Sequence, residues 1–238
     1  MKKSFLLLIA ALLLGSASFA QSFDLCVGPK VGYQTAQLSY NKADIKSGFA
    51  EHFTIGAFGR VTFNKLYVQP EVLWFKSGSA FSFDFENVAE GMIPEEEVTI
   101  TWNPMNIQVP VFVGYKVLDL DIVSLRVQVG PTANFIIGGK PVYDRVFSIT
   151  PEEGADPITV EEGDPILDTK TIAWGIQGGI GVDVLNKITL DINYNYGISK
   201  IFGANLIENT ELGQYVDLSN IDNTKQNLFM VTLGFKFL

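Results

Sequence analysis

Between residues 188 and 199 the chain alternates without a slip: Ile188, Leu190, Ile192, Tyr194, Tyr196 and Ile198 share one face, while Thr189, Asp191, Asn193, Asn195, Gly197 and Ser199 share the other. A period of two marks a strand whose two faces meet unlike surroundings. Seven further segments carry the same pattern, at about residues 24–40, 49–63, 66–83, 98–117, 121–137, 171–185 and 225–237, most weakly in 66–83. Short reversals at Asn64-Lys65, Leu118-Asp119 and Asn186-Lys187 take turns with long connections at about 41–48, 84–97, 138–170 and 200–224.

Eight strands in this rhythm predict an all-β, eight-stranded antiparallel up-and-down transmembrane β-barrel. A bilayer admits only structures that satisfy their backbone N–H and C=O groups internally, which a closed ladder does. About ten tilted residues cross the hydrocarbon. The even count, the short turns at one end and the long loops at the other place both termini in the periplasm. A soluble lipocalin-like barrel also has eight alternating strands, but it encloses an apolar cavity and shows polar side chains to water. Here the polar face carries Gly28, Gly32, Gly56, Gly114, Gly130, Gly175, Gly179, Gly181 and Gly234, residues suited to a crowded interior. Trp74, Tyr115, Trp174, Tyr194, Tyr196, Phe235 and Phe237 fit interfacial aromatic belts. Pro29, Pro70, Pro110 and Pro131 each delete a ladder donor, so bulges or local edges are expected beside them.

The start of the chain changes the picture only by being removed. Lys2 and Lys3, the apolar run 5–14 and the small residues at Ser18 and Ala20 read as an export signal over residues 1–20, leaving 21–238 as one barrel domain. The apolar run is shorter than the roughly 20 residues of a membrane-spanning helix. Loss of the two lysines takes the formal charge from −9 to −11, which excludes nucleic acid as a partner class. The single cysteine, Cys26, has no internal disulfide partner and reads as an inert thiol of the first strand.

Charged residues on the inward face are Lys30, Arg60, Glu71, Lys116, Arg126, Asp183, Asp191 and Lys236. Eight strands leave an interior just wide enough for side chains, so these are expected to pair in a filled lumen rather than line a path for ions. No catalytic residue, metal site or cofactor is implied. His52, the only histidine, has no nucleophile or carboxylate motif beside it, and Gly178-Gly179-Ile180-Gly181 lies within a strand with no helix following. The acidic runs Glu95-Glu96-Glu97, Glu152-Glu153 and Glu161-Glu162-Gly163-Asp164 lack the ligand spacing of a calcium loop and read as solvated surface. Within the third long connection, 141–149 and 158–160 have strand-forming character and are expected to extend above the membrane as a hairpin.

The pieces Gly28-Pro29-Lys30-Val31-Gly32, Tyr67-Val68-Gln69-Pro70-Glu71, Asn106-Ile107-Gln108-Val109-Pro110 and Val231-Thr232-Leu233-Gly234-Phe235-Lys236-Phe237, in this order, resemble the small porin-like outer-membrane β-barrel family of Gram-negative bacteria. The resemblance covers the whole mature chain. It implies an outer-membrane location among lipid and lipopolysaccharide, and recognition of the last strand by the outer-membrane assembly machinery, although Leu238 follows the final aromatic. The expected role is structural or surface interaction, the extracellular ligand being unidentified. The alternatives are a narrow porin-like channel for small solutes and a receptor or adhesin acting through the long loops.

Overall fold

Alternating burial builds a single closed wall. In the computed structural model, which describes residues 23–39, 50–77, 79–82, 99–120, 122–143, 147–149, 158–160, 167–205 and 224–237, all named elements are strands. They are β1 (Phe23–Ser39), β2 (Ala50–Phe63), β3 (Leu66–Lys76), β4 (Ser79–Ser82), β5 (Thr99–Trp102), β6 (Met105–Asp119), β7 (Val123–Ile137), β8 (Val142–Tyr143), β9 (Phe147–Ile149), β10 (Ile158–Val160), β11 (Leu167–Thr169), β12 (Ile172–Val184), β13 (Ile188–Gly197), β14 (Phe202–Asn205) and β15 (Lys225–Phe235). Eight of them close an antiparallel barrel in the order β1-β15-β13-β12-β7-β6-β3-β2, the up-and-down meander that the sequence predicts. The seam between first and last strands runs from Lys30 opposite Gly234 to Ser39 opposite Lys225, with Val27 bridging Phe237 beyond it.

The facing is decided by exposure. Leu190 and Ile192 stand 40% and 37% exposed, whereas Asp191 and Asn193 between them are at 0% and 2%. The apolar rows point outward, the reverse of a soluble barrel. Trp74, Tyr115, Trp174, Tyr194, Tyr196, Phe235 and Phe237 are all exposed on that outer wall, joined by Tyr33 and Phe53, whose rings meet edge to face.

Two expected strands are interrupted. The segments 66–83 and 98–117 break at Ser77 and at Asn103-Pro104, where Ser77 N donates to Pro104 O at 3.0 Å and Asn106 Nδ2 donates to Ser77 Oγ at 2.8 Å. Proline has no N–H to continue a ladder. Beyond the break β5 pairs with β4 on one side and with β8 on the other, forming a separate sheet. The hairpin expected in the third connection is present as β9 paired with β10, and β11 pairs with β14. The signal segment and the acidic runs named above lie outside the described residues.

The four strand prolines are absorbed by a repeated one-sided gap rather than by bulges. Pro29 pairs with Ala57 of β2 but is missing from the β15 ladder, and Pro70 pairs with Val111 of β6 but not with β2. Pro110 pairs with Thr132 of β7 but not with β3, and Pro131 pairs with Ile176 of β12 but not with β6. Register is kept across each gap, and the β-bulge of the wall lies elsewhere, between Lys116 and Leu118. In two cases the preceding residue is a glycine whose missing Cβ makes room: a side chain at Gly28 would collide with the Phe235 carbonyl, and one at Gly130 with that of Val111. A carbonyl with no proline N–H to meet leans onto bare backbone. At the third short turn Leu185 and Asn186 both take positive φ, 53° and 55°, with Lys187 N donating to Val184 O, the primed geometry that matches strand twist. The second turn begins later than Leu118-Asp119, because β6 continues through Asp119 and Leu120 N donates to Val123 O at 3.0 Å.

Candidate functional site

Inward-facing side chains stack along the barrel axis in layers of different chemistry. Nearest the short turns, a cavity of about 410 Å³ opens at the mouth, lined by Asp24, Cys26, Lys116, Asp119, Leu120, Asn186 and Lys236. Cys26 is buried in its wall with a free thiol.

Above this vestibule lies a belt of charge. Asp183 of β12 accepts from Arg60 of β2 at 2.6 Å, from Arg126 of β7 at 3.0 Å and from Lys236, just past β15, at 2.9 Å. Asp191 of β13 meets Arg126 at 2.7 Å and Lys30 of β1 at 2.6 Å, and Lys30 also pairs with Glu71 of β3. Seven of the eight charged residues expected inside therefore form one connected set that crosses the lumen from wall to wall. Lys116 does not join it. It sits past the layer at the mouth, beside the Lys116/Leu118 bulge, paired with Asp119 at 3.3 Å.

Neutral groups complete the belt. Arg60 Nε donates to Gln69 Oε1, Gln69 Nε2 to Glu71 Oε1, and both arginines donate to Thr189 Oγ1. Tyr67 takes a hydrogen bond from Arg126 and gives one to Gln128, while its ring faces both guanidinium groups, 5.2 Å from that of Arg60 and 5.4 Å from that of Arg126. Arg126 fits because residue 181 is glycine: a Cβ there would overlap its guanidinium. Ion pairs taken from water repay their desolvation only with such dense supporting hydrogen bonds.

Further out, Leu73, Phe75, Leu228 and Met230 form a buried apolar cluster. The sequence pattern misses Leu73 and Phe75 as filling because apolar residues on the inward face of β3 blur its alternation. Next comes an amide layer, in which Asn134 donates to Asn106 and Gln226, and Gln226 donates to Ser77. At the long-loop end Trp102 and Phe202 are buried with ring centroids 5.1 Å apart, and the Trp102 indole donates to Gly139 O at 2.8 Å. No sequence motif marks these two residues: Trp102 falls in the expected segment 98–117 and Phe202 in the connection 200–224, and both lie outside the barrel wall. His52 is half-buried on β2, opposite Gln34 in the ladder. Among the described residues no group of three or more His, Cys, Asp or Glu side chains is placed to hold a metal ion.

Asp119 lies outside the membrane at the mouth, where the Ser124 hydroxyl donates to it at 2.5 Å and Lys116 stands beside it; these hold its carboxyl below the ordinary carboxylate range. A depressed folded-state value stabilises the fold above the unfolded value, near pH 3.9, and that contribution fades as pH falls through the folded value. Ser124→Ala is expected to move the Asp119 titration upward toward the ordinary range, read by carboxyl-carbon NMR. An unmoved titration would remove the hydroxyl as the main cause.

Among solved structures the chain is similar to Ail, the attachment invasion locus protein of Yersinia pestis, crystallised with the heparin analogue sucrose octasulfate (15% identity, 90% of this chain and 99% of that one, TM-score 0.42). It is also similar to Neisserial surface protein A (12% identity, 91% and 100% coverage, TM-score 0.44) and to OprG from Pseudomonas aeruginosa (11% identity, 91% and 95% coverage, TM-score 0.47). No curated protein matches it. The family model described as "Outer membrane protein beta-barrel domain" matches residues 19–203. With most of its length matched by that model and its apolar wall turned outward, the chain belongs to the outer-membrane protein β-barrel domain family and resides in the outer membrane.

Proposed function

We propose that the protein is a closed, non-catalytic outer-membrane barrel whose role is structural or in surface interaction, with a lumen that does not conduct. The observation that carries this reading is the ion-pair belt, which ties six barrel strands and the segment after β15 together across the axis. Moving a solute past it would require separating buried charges, each at a cost of several kcal/mol. The apolar cluster, the amide layer and Trp102 with Phe202 lie beyond the belt as further filling. Surface interaction is supported by β4-β5-β8, β9-β10 and β11-β14, small sheets that belong to the long connections rather than to the barrel wall. Loops on a rigid barrel vary in sequence with little effect on the wall that carries them.

A narrow porin-like channel is the competing reading, and the vestibule at the turn-side mouth is the feature that favours it. Single-channel recording of the purified protein in planar bilayers separates the two. The closed reading expects a quiet baseline over the voltage range in which the bilayer itself is stable. A steady, large conductance would overturn it.

A further inference from the structure

Two amides on the loop side of the ion-pair belt have oxygens that no described group serves. Asn134 of β7 and Asn195 of β13 are each only 4% exposed, yet neither Oδ1 accepts a hydrogen bond among the described residues. The Asn134 amide is fixed in its orientation, because Nδ2 donates to Asn106 Oδ1 at 2.9 Å and to Gln226 Oε1 at 3.1 Å. Turning it over would set oxygen against oxygen. Nearby side-chain donors are committed as well: Gln226 Nε2 donates to Ser77 Oγ at 3.1 Å, and Thr132 Oγ1 donates to Gln177 Oε1 at 3.2 Å. An amide oxygen taken from water and given nothing in return destabilises a fold, so buried oxygens of this kind are met by protein donors or by ordered water.

Both asparagines line one small cavity, of about 10 Å³, where β15, β13, β12 and β7 run side by side in the wall. The ladder explains the space. Successive inward positions of β12 are Ala173, Gly175 and Gln177, with Asn134 opposite the first and Asn195 opposite the last. Between them Gly175 pairs with Thr132 on one side and Gly197 on the other, so two of the three residues at that level have no side chain. A Cβ at Gly175 would lie 2.7 Å from Asn195 Oδ1. The room a side chain would take is therefore the room beside that oxygen. Ser199, whose Oγ accepts from Trp174 N at 2.7 Å, brings a hydroxyl donor to the same cavity.

We propose that this cavity is a binding site for internal water, which donates to the Oδ1 atoms of Asn134 and Asn195 and accepts from the Ser199 hydroxyl. Size and chemistry both select water. A water molecule needs roughly 10–15 Å³ of such space and about two to four polar partners. A hard cation such as calcium takes about six to eight oxygens, more than two amides and a hydroxyl supply. Bound water stands in for the side chain that Gly175 lacks and ties β7 to β13 across β12. The inference is independent of whether the lumen conducts.

The test is a crystal structure of the full mature chain, folded in detergent, at a resolution that shows ordered water. Density is expected in the cavity within about 3.2 Å of each Oδ1, the reach of a hydrogen bond. An empty cavity would overturn the site, as would protein donors found on both oxygens. Crystals soaked in rubidium chloride separate water from a monovalent cation: no anomalous peak is expected there, and a strong one would replace water with a cation. Asn195→Leu, checked for folding by heat-modifiable gel mobility, should lose the density beside residue 195. Density unchanged in that variant would show that Asn195 does not hold it and would overturn the assignment. Failure of the lumen reading shows in bilayer recordings and leaves these outcomes untouched.

Discussion

Asp183→Ala is expected to lower folded stability by about 3–5 kcal/mol, the range for stranding a buried charge by deleting its partner. The position is demanding because one carboxylate serves three cations, Arg60, Arg126 and Lys236, with its side chain 2% exposed. Without it Arg60 retains Gln69 and Thr189, and Arg126 retains Asp191, Tyr67 and Thr189, but both guanidinium groups stay at the level where water is excluded. Lys236, near the mouth, has the vestibule to turn into. Most of the loss is therefore assigned to the two arginines, and adding Lys236→Met to the variant should recover little. Equilibrium urea unfolding in micelles, followed by tryptophan fluorescence, gives the number. Asp24→Ala at the exposed rim is the control, expected within about 0.5 kcal/mol of wild type. A loss at Asp183 no larger than that of the control would mean that the belt is hydrated, and the closed-lumen reading would fall with it.

The same residues show how far the sequence is legible. The inward position of Asp183, Asp191, Lys30 and Arg126 follows from parity alone, because a strand in a barrel has only two faces and the other is given over to lipid. Their partners do not follow. Asp183 meets Arg60 because β2 and β12, distant in sequence and separated by other strands in the wall, face each other across a narrow lumen, and that depends on the tilt and stagger of the whole barrel. Lys116 has the right parity but lies too near the mouth, at the edge of a bulge that no local residue pattern announces. The prolines were legible as trouble for the ladder. That each forfeits only one of its two neighbours, with register intact, depends on a strand having two edges and proline lacking a donor for only one of them. The weak alternation of 66–76 has a physical cause: Leu73 and Phe75 face inward into an apolar layer, so the rule of polar inside fails there for packing reasons. Phe202 lies in a long connection with no period to read, and Trp102, inside the expected segment 98–117, is set apart from the barrel wall by the break at Asn103-Pro104.

Ile192→Arg is expected to destabilise the folded barrel by about 2–4 kcal/mol, the cost of a cation on the lipid face near the bilayer midplane. Ile192 sits in the middle of β13 and points outward, with Asp191 on the opposite face already committed to Lys30 and Arg126. A new guanidinium therefore has no carboxylate to find through the wall and must reach toward a headgroup or draw water inward. Ile198→Arg, just beyond the same strand and beside Trp174 at the headgroup level, should cost only about 0–1 kcal/mol, because a cation at the interface stays hydrated. The difference between the two positions is the informative quantity. Both isoleucines are exposed on the same wall, so a barrel surrounded by water would register the two changes alike. Unfolding titrations from phosphatidylcholine vesicles measure both on one scale. Equal costs at residues 192 and 198 would contradict a hydrocarbon layer against this wall, and with it the reason that the apolar row of β13 faces out at all.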